Sequence, residues 1–158
     1  MPLPLDRETF LEVVRDTPLV SIDLVVTNDK GEVLLGLRSN EPAKGFWFVP
    51  GGRIRKNEAL DAAFSRIVEC ELGIRRSREG ARLLGAYEHM LPGNFAGVPD
   101  VTTHYVVLAH HIKLRNDTII SPDVQHTELR WWPIGQAAQS DTVHKFTREY
   151  FPAVIGGR

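Results

Sequence analysis

The sequence predicts an α+β fold, an α/β/α sandwich in which helices flank a sheet core. Three observations predict it: β-rich runs recur along the chain, one long amphipathic segment interrupts them, and helical pieces stand near both ends. With 158 residues, of which 42% are hydrophobic, the chain is expected to form one domain over residues 1–158, with apolar surface for a single core. No repeat or low-complexity tract divides it.

Asp6 is placed to cap a short helix carrying Phe10, Leu11 and Val14, which must end before Thr17-Pro18 because the residue preceding proline is pushed out of the helical region. Residues 20–27 and 32–37 are β-rich runs split by Asn28-Asp29-Lys30-Gly31, a hairpin signal. A loop over 38–45 containing Pro42 leads to a short apolar run, 46–49, and Pro50-Gly51-Gly52 is read as a break before a helix over residues 58–72. Three further strands are expected at 81–89, 102–113 and 128–132, the first two joined by a loop rich in Gly, Pro, Asn and Asp. Residues 143–151 are expected to form a closing helix.

The 19 basic and 20 acidic side chains leave a net charge of −1, so nothing attracts an extended polyanion at long range, and nucleic acid is not an expected partner. Any phosphate ligand must be held by locally placed arginines. Cys70 is the only cysteine and cannot close an internal disulfide. The start, Met-Pro-Leu-Pro-Leu-Asp-Arg-Glu, has neither the basic region nor the apolar stretch of a secretory signal, and no apolar run approaches membrane-spanning length. A cytoplasmic protein without membrane partners is expected.

Within the helix over 58–72, a period near 100° per residue puts Leu60, Ala63, Phe64 and Ile67 on one apolar stripe, with Glu71 pointing the same way. A carboxylate aimed at a core is costly unless paired, hydrogen-bonded or metal-bound, and in the last turn the helix dipole disfavours it further. A cation should meet it; an arginine partner or a frayed helix end are the competing readings. Gly51 and Gly52 let backbone approach a ligand closely, although a Gly-Gly after proline is by itself usually just a turn. Glu58 and Glu69 read most simply as solvated helix charge, and Cys70 as a small packing residue.

Taken together, Gly52, Glu58, Arg66, Val68, Glu71, Gly73 and Ile74 resemble the Nudix box, with Ile67 and Cys70 standing where that pattern carries carboxylates. The resemblance implies the Nudix fold, with a mixed β-sheet core flanked by helices. It extends through Thr17–Ser21, Gly45–Arg53, Thr102–Val107 and Ser121–His126, which are similar to the GDP-mannose mannosyl hydrolase family, where the box is thinned in the same way.

That resemblance implies hydrolysis of GDP-mannose, and of GDP-glucose, to GDP and the hexose by water attack at C1 with inversion. It implies one Mg²⁺ per subunit, replaceable by Mn²⁺, held by the Gly51 carbonyl, Glu71 and Gln125. His126 matches the general base, and Arg53 and Arg66 match cations that stabilise the departing diphosphate; Arg66 also suits a structural tie between loop and helix, and Glu58 matches a residue that orients the box arginine. Arg38 matches a diphosphate-binding arginine. Asp23 matches a residue near the sugar, or is an edge-strand carboxylate facing water. His89 and Tyr105 match groups that hydrogen-bond sugar hydroxyls or phosphate; a strand-end polar group and a sheet-packing ring are their plainer readings. Pro4, Leu5 and Phe10 align with a nucleotide-contacting segment, although Phe10 also suits a core anchor. A homodimer is implied. The loop around Gly97–Asp100 is longer than that family's, which bears on sugar preference.

Two other functions remain open to the sequence: an ordinary Nudix diphosphatase attacking phosphorus, and a catalytically silent nucleotide-binding module. The missing carboxylates weigh against the first, and the retained Glu71, Gln125, His126 and arginines against the second.

Overall fold

The computed structural model describes residues 4–122 and 128–157. The chain opens with α1 (Arg7–Asp16), whose first turn is closed by the expected cap: Asp6 accepts the Thr9 N–H at 2.9 Å and the Thr9 hydroxyl at 2.9 Å. It then runs through β1 (Leu19–Thr27), β2 (Glu32–Leu37), β3 (Trp47–Phe48) and β4 (Gly51–Arg53). α2 (Leu60–Leu72), β5 (Arg82–Leu91), β6 (Thr103–Lys113) and β7 (Leu129–Pro133) follow, and α3 (Ile134–Gln139), α4 (Lys145–Arg148) and α5 (Phe151–Ile155) close the chain.

The seven strands make one mixed sheet in the order β3-β2-β1-β6-β5, with β4 added to β1 and β7 to β2. β1 and β6 are parallel over nine paired residues, Leu19↔Tyr105 to Thr27↔Lys113; the other pairings between strands are antiparallel. Side chains alternate across β1. Ile22, Leu24 and Val26 pack with Ala63, Phe64, Ile67, Val68 and Leu72 of α2, while Val25 packs on the opposite face with Trp132, Tyr150 and Phe151. Helices therefore cover both faces, and each large apolar side chain buried between the layers contributes about 1.5–3 kcal/mol.

Three features differ from the sequence reading. Pro50-Gly51-Gly52 does not break the sheet: Gly51, Gly52 and Arg53 pair with Asp23, Ile22 and Ser21. Their strand character comes from this pairing, which local propensity does not register. The closing helix is two helices, because Pro152 has no N–H to give the Arg148 carbonyl and instead occupies the first turn of α5. Glu58 lies ahead of α2, and Leu60, assigned to the apolar stripe, is 39% exposed in its first turn.

β1 changes partners along its length, pairing with β2 at Thr27↔Val33 and with β4 between Ser21 and Asp23. The sheet splits there, and the split forms the cleft. Gly73, at φ +68°, ends α2 in the left-handed region; a Cβ on it would strike the Ser121 carbonyl, while the Ser121 N–H donates to the Leu72 carbonyl at 2.9 Å. The chain just before residue 123 is thus docked on the end of α2, one residue from Glu71.

Candidate active site

Two adjoining hollows share Arg38, Phe48, Val49 and Gly51 as a common wall. One adds Glu71 and the end of β2; the other adds Ser21, Asp23, Arg53, His89 and Tyr105. Seven of the sequence-predicted site residues therefore line one cleft, Asp23, Arg38, Gly51, Arg53, Glu71, His89 and Tyr105, while Phe10 meets Arg53 with its ring centroid 4.8 Å from the guanidinium. Arg66 is not on the wall. Pro4 and Leu5 are exposed ahead of α1, and Gln125 and His126 lie outside the described residues.

The β1–β4 register sets the direction of the Gly51 carbonyl. The Leu24 N–H donates to the Pro50 carbonyl and the Ile54 N–H to the Val20 carbonyl, both at 2.8 Å. Alternation in an antiparallel pair then makes Asp23↔Gly51 a non-hydrogen-bonded pair, so the Gly51 carbonyl points away from β1. Glycine is required there, because a Cβ would collide with Asp23 Oδ1 and lie 2.7 Å from the Ile22 carbonyl. Gly52 lies close above Ile67, which is 1% exposed and fills a position where the box pattern has a carboxylate.

Burial, and then the negative charge of Asp23, push the Glu71 carboxyl up to about 7. Asp23 is raised to about 6 by burial, against the opposing hydrogen bond from Tyr150 and the charge of Arg38. The Glu71 carboxylate, disfavoured as an anion, and the outward Gly51 carbonyl line the same hollow and are hard oxygen donors that a divalent cation would stabilise. The donor set fits Mg²⁺ or Mn²⁺, although among the described residues no group of three or more His, Cys, Asp or Glu converges as a complete cage.

Arg66 performs the structural task. Its Nε and Nη2 donate to Glu58 Oε2 and Oε1 at 2.7 and 2.8 Å, and Nη2 also donates to the Arg53 carbonyl at 2.9 Å. This fork ties the loop after β4 to α2 and fixes the backbone of Arg53. The Glu58 side chain is 4% exposed, and its hydrogen bond with Arg66 holds its carboxyl well down, at about 2. Because the folded value lies below the ordinary glutamate value of 4.5, this stabilisation is full above 4.5 and is lost as pH falls toward 2. Glu58→Ala should therefore cost on the order of 3 kcal/mol at neutral pH. In urea unfolding, the gap to the unmodified protein should shrink in acid; a pH-independent gap would contradict the ion-pair origin.

Sequence reasoning missed Tyr150. Its hydroxyl donates to Asp23 Oδ2 at 2.6 Å and lies 3.1 Å from His89 Nε2. His89 is buried, stacked on Phe146 at 4.4 Å with rings within 5° of parallel, and pushed down to about 4 by burial and the nearby His144. No local signal marks Tyr150, which lies 127 positions from Asp23. It arrives because the C-terminal segment pairs with β3: Trp47 N–H donates to the Thr142 carbonyl and His144 N–H to the Trp47 carbonyl, while Val49 N–H donates to Thr147 Oγ1 at 3.2 Å. Phe48 is a second omission; its ring faces the Arg38 guanidinium at 5.5 Å.

The glycine loop, the Arg66–Glu58 fork and the inward Glu71 on one helix are the Nudix arrangement, and the NUDIX domain family model matches residues 17–154. The chain belongs to the Nudix family. It is 42% identical over 122 residues to the low-salt glycan biosynthesis protein Agl8 of Haloferax volcanii, which spans 75% of this chain and 72% of that protein. Its fold is similar to that of the MutT protein from Methanosarcina mazei Go1, with a TM-score of 0.69 at 19% identity, covering 90% of this chain and 99% of that one. The MutT NUDIX hydrolase from Burkholderia pseudomallei gives a TM-score of 0.66 at 26% identity, covering 88% and 99%. The protein is thus a Nudix hydrolase, and Nudix enzymes generally use divalent metals such as Mg²⁺ or Mn²⁺ to act on small-molecule nucleotide derivatives. Among the described residues no helix is long and apolar enough to cross a membrane.

Proposed function

We propose that this Nudix hydrolase cleaves GDP-mannose, and GDP-glucose, at the hexose C1–O bond to release GDP and a hexose of inverted configuration. The observation that carries this reading is the poverty of carboxylates on the cleft side of α2. Glu71 lines the cleft, whereas Glu58 is committed to Arg66, Glu69 is exposed, and Ile67 fills a carboxylate position of the box. So few oxygen anions suit one divalent cation per subunit, assigned to the Gly51 carbonyl, Glu71 and Gln125. When bound, that ion neutralises the diphosphate and makes GDP a better leaving group.

Arg38 and Arg53 hold the diphosphate oxygens. Charge grows on those oxygens as C1–O breaks, so the guanidinium groups stabilise the transition state more than the bound substrate. Arg66 serves the same end by fixing Arg53. Asp23 lies near the sugar, His89 and Tyr105 hydrogen-bond sugar hydroxyls or phosphate, and Phe10, with Pro4 and Leu5, lies toward the guanine. His126 takes a proton from water while the water oxygen bonds to C1 and the C1–O electron pair leaves with the diphosphate. The name of the Agl8 relative, a glycan biosynthesis protein, agrees with a sugar nucleotide as substrate. A homodimer completes the reading.

Hydrolysis in ¹⁸O-labelled water tests it. The label is expected on the released hexose; label on phosphate, with GMP as product, would show attack at phosphorus.

A further inference from the structure

The buried hydroxyl of Tyr150 stands between two groups that line the cleft. Tyr150 is 0% exposed, its ring meets Tyr87 edge-on at 4.8 Å, and its oxygen contacts Asp23 Oδ2 and His89 Nε2 at 2.6 and 3.1 Å. A phenol has one proton to give. The Tyr150 O–H donates to Asp23 Oδ2, the shorter of the two contacts, so the proton goes to Asp23. Only the lone pairs of the phenol oxygen then face His89, and His89 must donate from Nε2. In a neutral imidazole this leaves Nδ1 bare. Burial pushes the Tyr150 phenol up, which keeps its proton in place, and pushes the His89 ring down, which keeps it neutral.

We propose that Tyr150 is a positioning residue that sets both side chains to accept at the sugar end of the cleft: Asp23 through Oδ1 and His89 through Nδ1. Such a pair takes hydrogen bonds from hydroxyl groups and offers none to phosphate oxygens. It therefore selects a polyhydroxylated ring against these two side chains and leaves the diphosphate to Arg38 and Arg53, which line the same hollow. This rests on the GDP-hexose reading above and refines it, since His89 is withdrawn from phosphate binding. Phe146, stacked flat on the His89 ring, holds the ring plane while Tyr150 determines which nitrogen carries the proton.

Imidazole ¹⁵N–¹H correlation spectra of the full chain without substrate, at mildly alkaline pH and with His89 assigned by His89→Gln, read the tautomer directly. The Nε2–H form is expected in the unmodified protein, and Tyr150→Phe, which keeps the buried ring, should lose its uniform population. With substrate, Tyr150→Phe should lower kcat roughly tenfold to a hundredfold with little change in KM, because misorientation is felt most in the reacting geometry. An Nδ1–H ring in the unmodified protein, or an unaltered kcat in Tyr150→Phe, overturns the proposal. Failure of the GDP-hexose reading shows separately, as no hexose released by the unmodified protein, and leaves the tautomer measurement decisive.

Discussion

Replacing Glu71 with glutamine is expected to lower Mg²⁺-activated turnover roughly a hundredfold or more, the size of effect associated with losing a metal's charge stabilisation in the transition state. The fold should survive. Glutamine has nearly the shape of glutamate, and the position already disfavours negative charge, with Glu71 raised to about 7 from the ordinary glutamate value of 4.5. A raised carboxyl opposes folding increasingly as pH rises from 4.5 through 7, so the amide should leave the metal-free protein at least as stable at neutral pH. Thermal unfolding with and without Mg²⁺ separates the two roles. A ligand that binds the native state raises its melting temperature, so the increment given by Mg²⁺ should vanish in Glu71→Gln. An unchanged increment would remove Glu71 as a ligand, whatever happened to activity.

His126→Ala should lower kcat by about 10²–10⁴, the range for loss of a positioned general base. Because the proposal gives His126 no part in holding the diphosphate, Mg²⁺-dependent GDP affinity should stay within a few-fold of the unmodified protein. Calorimetric titration with GDP and single-turnover measurement of hexose release are the paired readouts. Full turnover in His126→Ala would require another base. Loss of GDP binding along with turnover would instead place His126 among the binding groups.

Part of this site could be read without coordinates because its signals are local. Asp6 ahead of Phe10, Leu11 and Val14, the Asn28–Gly31 turn, and the inward Glu71 in an apolar stripe each depend on spacing within one or two turns of chain. The Gly51 carbonyl was legible only as a possibility. Its direction follows from the alternation of the β1–β4 pair, and the pairing itself was hidden because a proline and two glycines look like a break. Glu58 was misplaced for a similar reason: it can extend the helical pattern of 60–72, and only its bidentate contact with Arg66 and burial show that it serves the preceding loop.

The chain alone determined that a sheet is sandwiched by helices, that a glycine loop precedes a helix bearing one inward carboxylate, and that the carboxylates usual in the Nudix box are thinned at Ile67 and Cys70. These are matters of residue order and period. Only the tertiary structure decided that Glu58 is buried ahead of the helix, that Arg66 reaches the cleft through Arg53, and that Tyr150 crosses from the C-terminal helices to join Asp23 and His89. Such contacts unite residues far apart in sequence, and their partners are selected by the parallel β1–β6 pairing and by the C-terminal strap against β3, which no local pattern encodes.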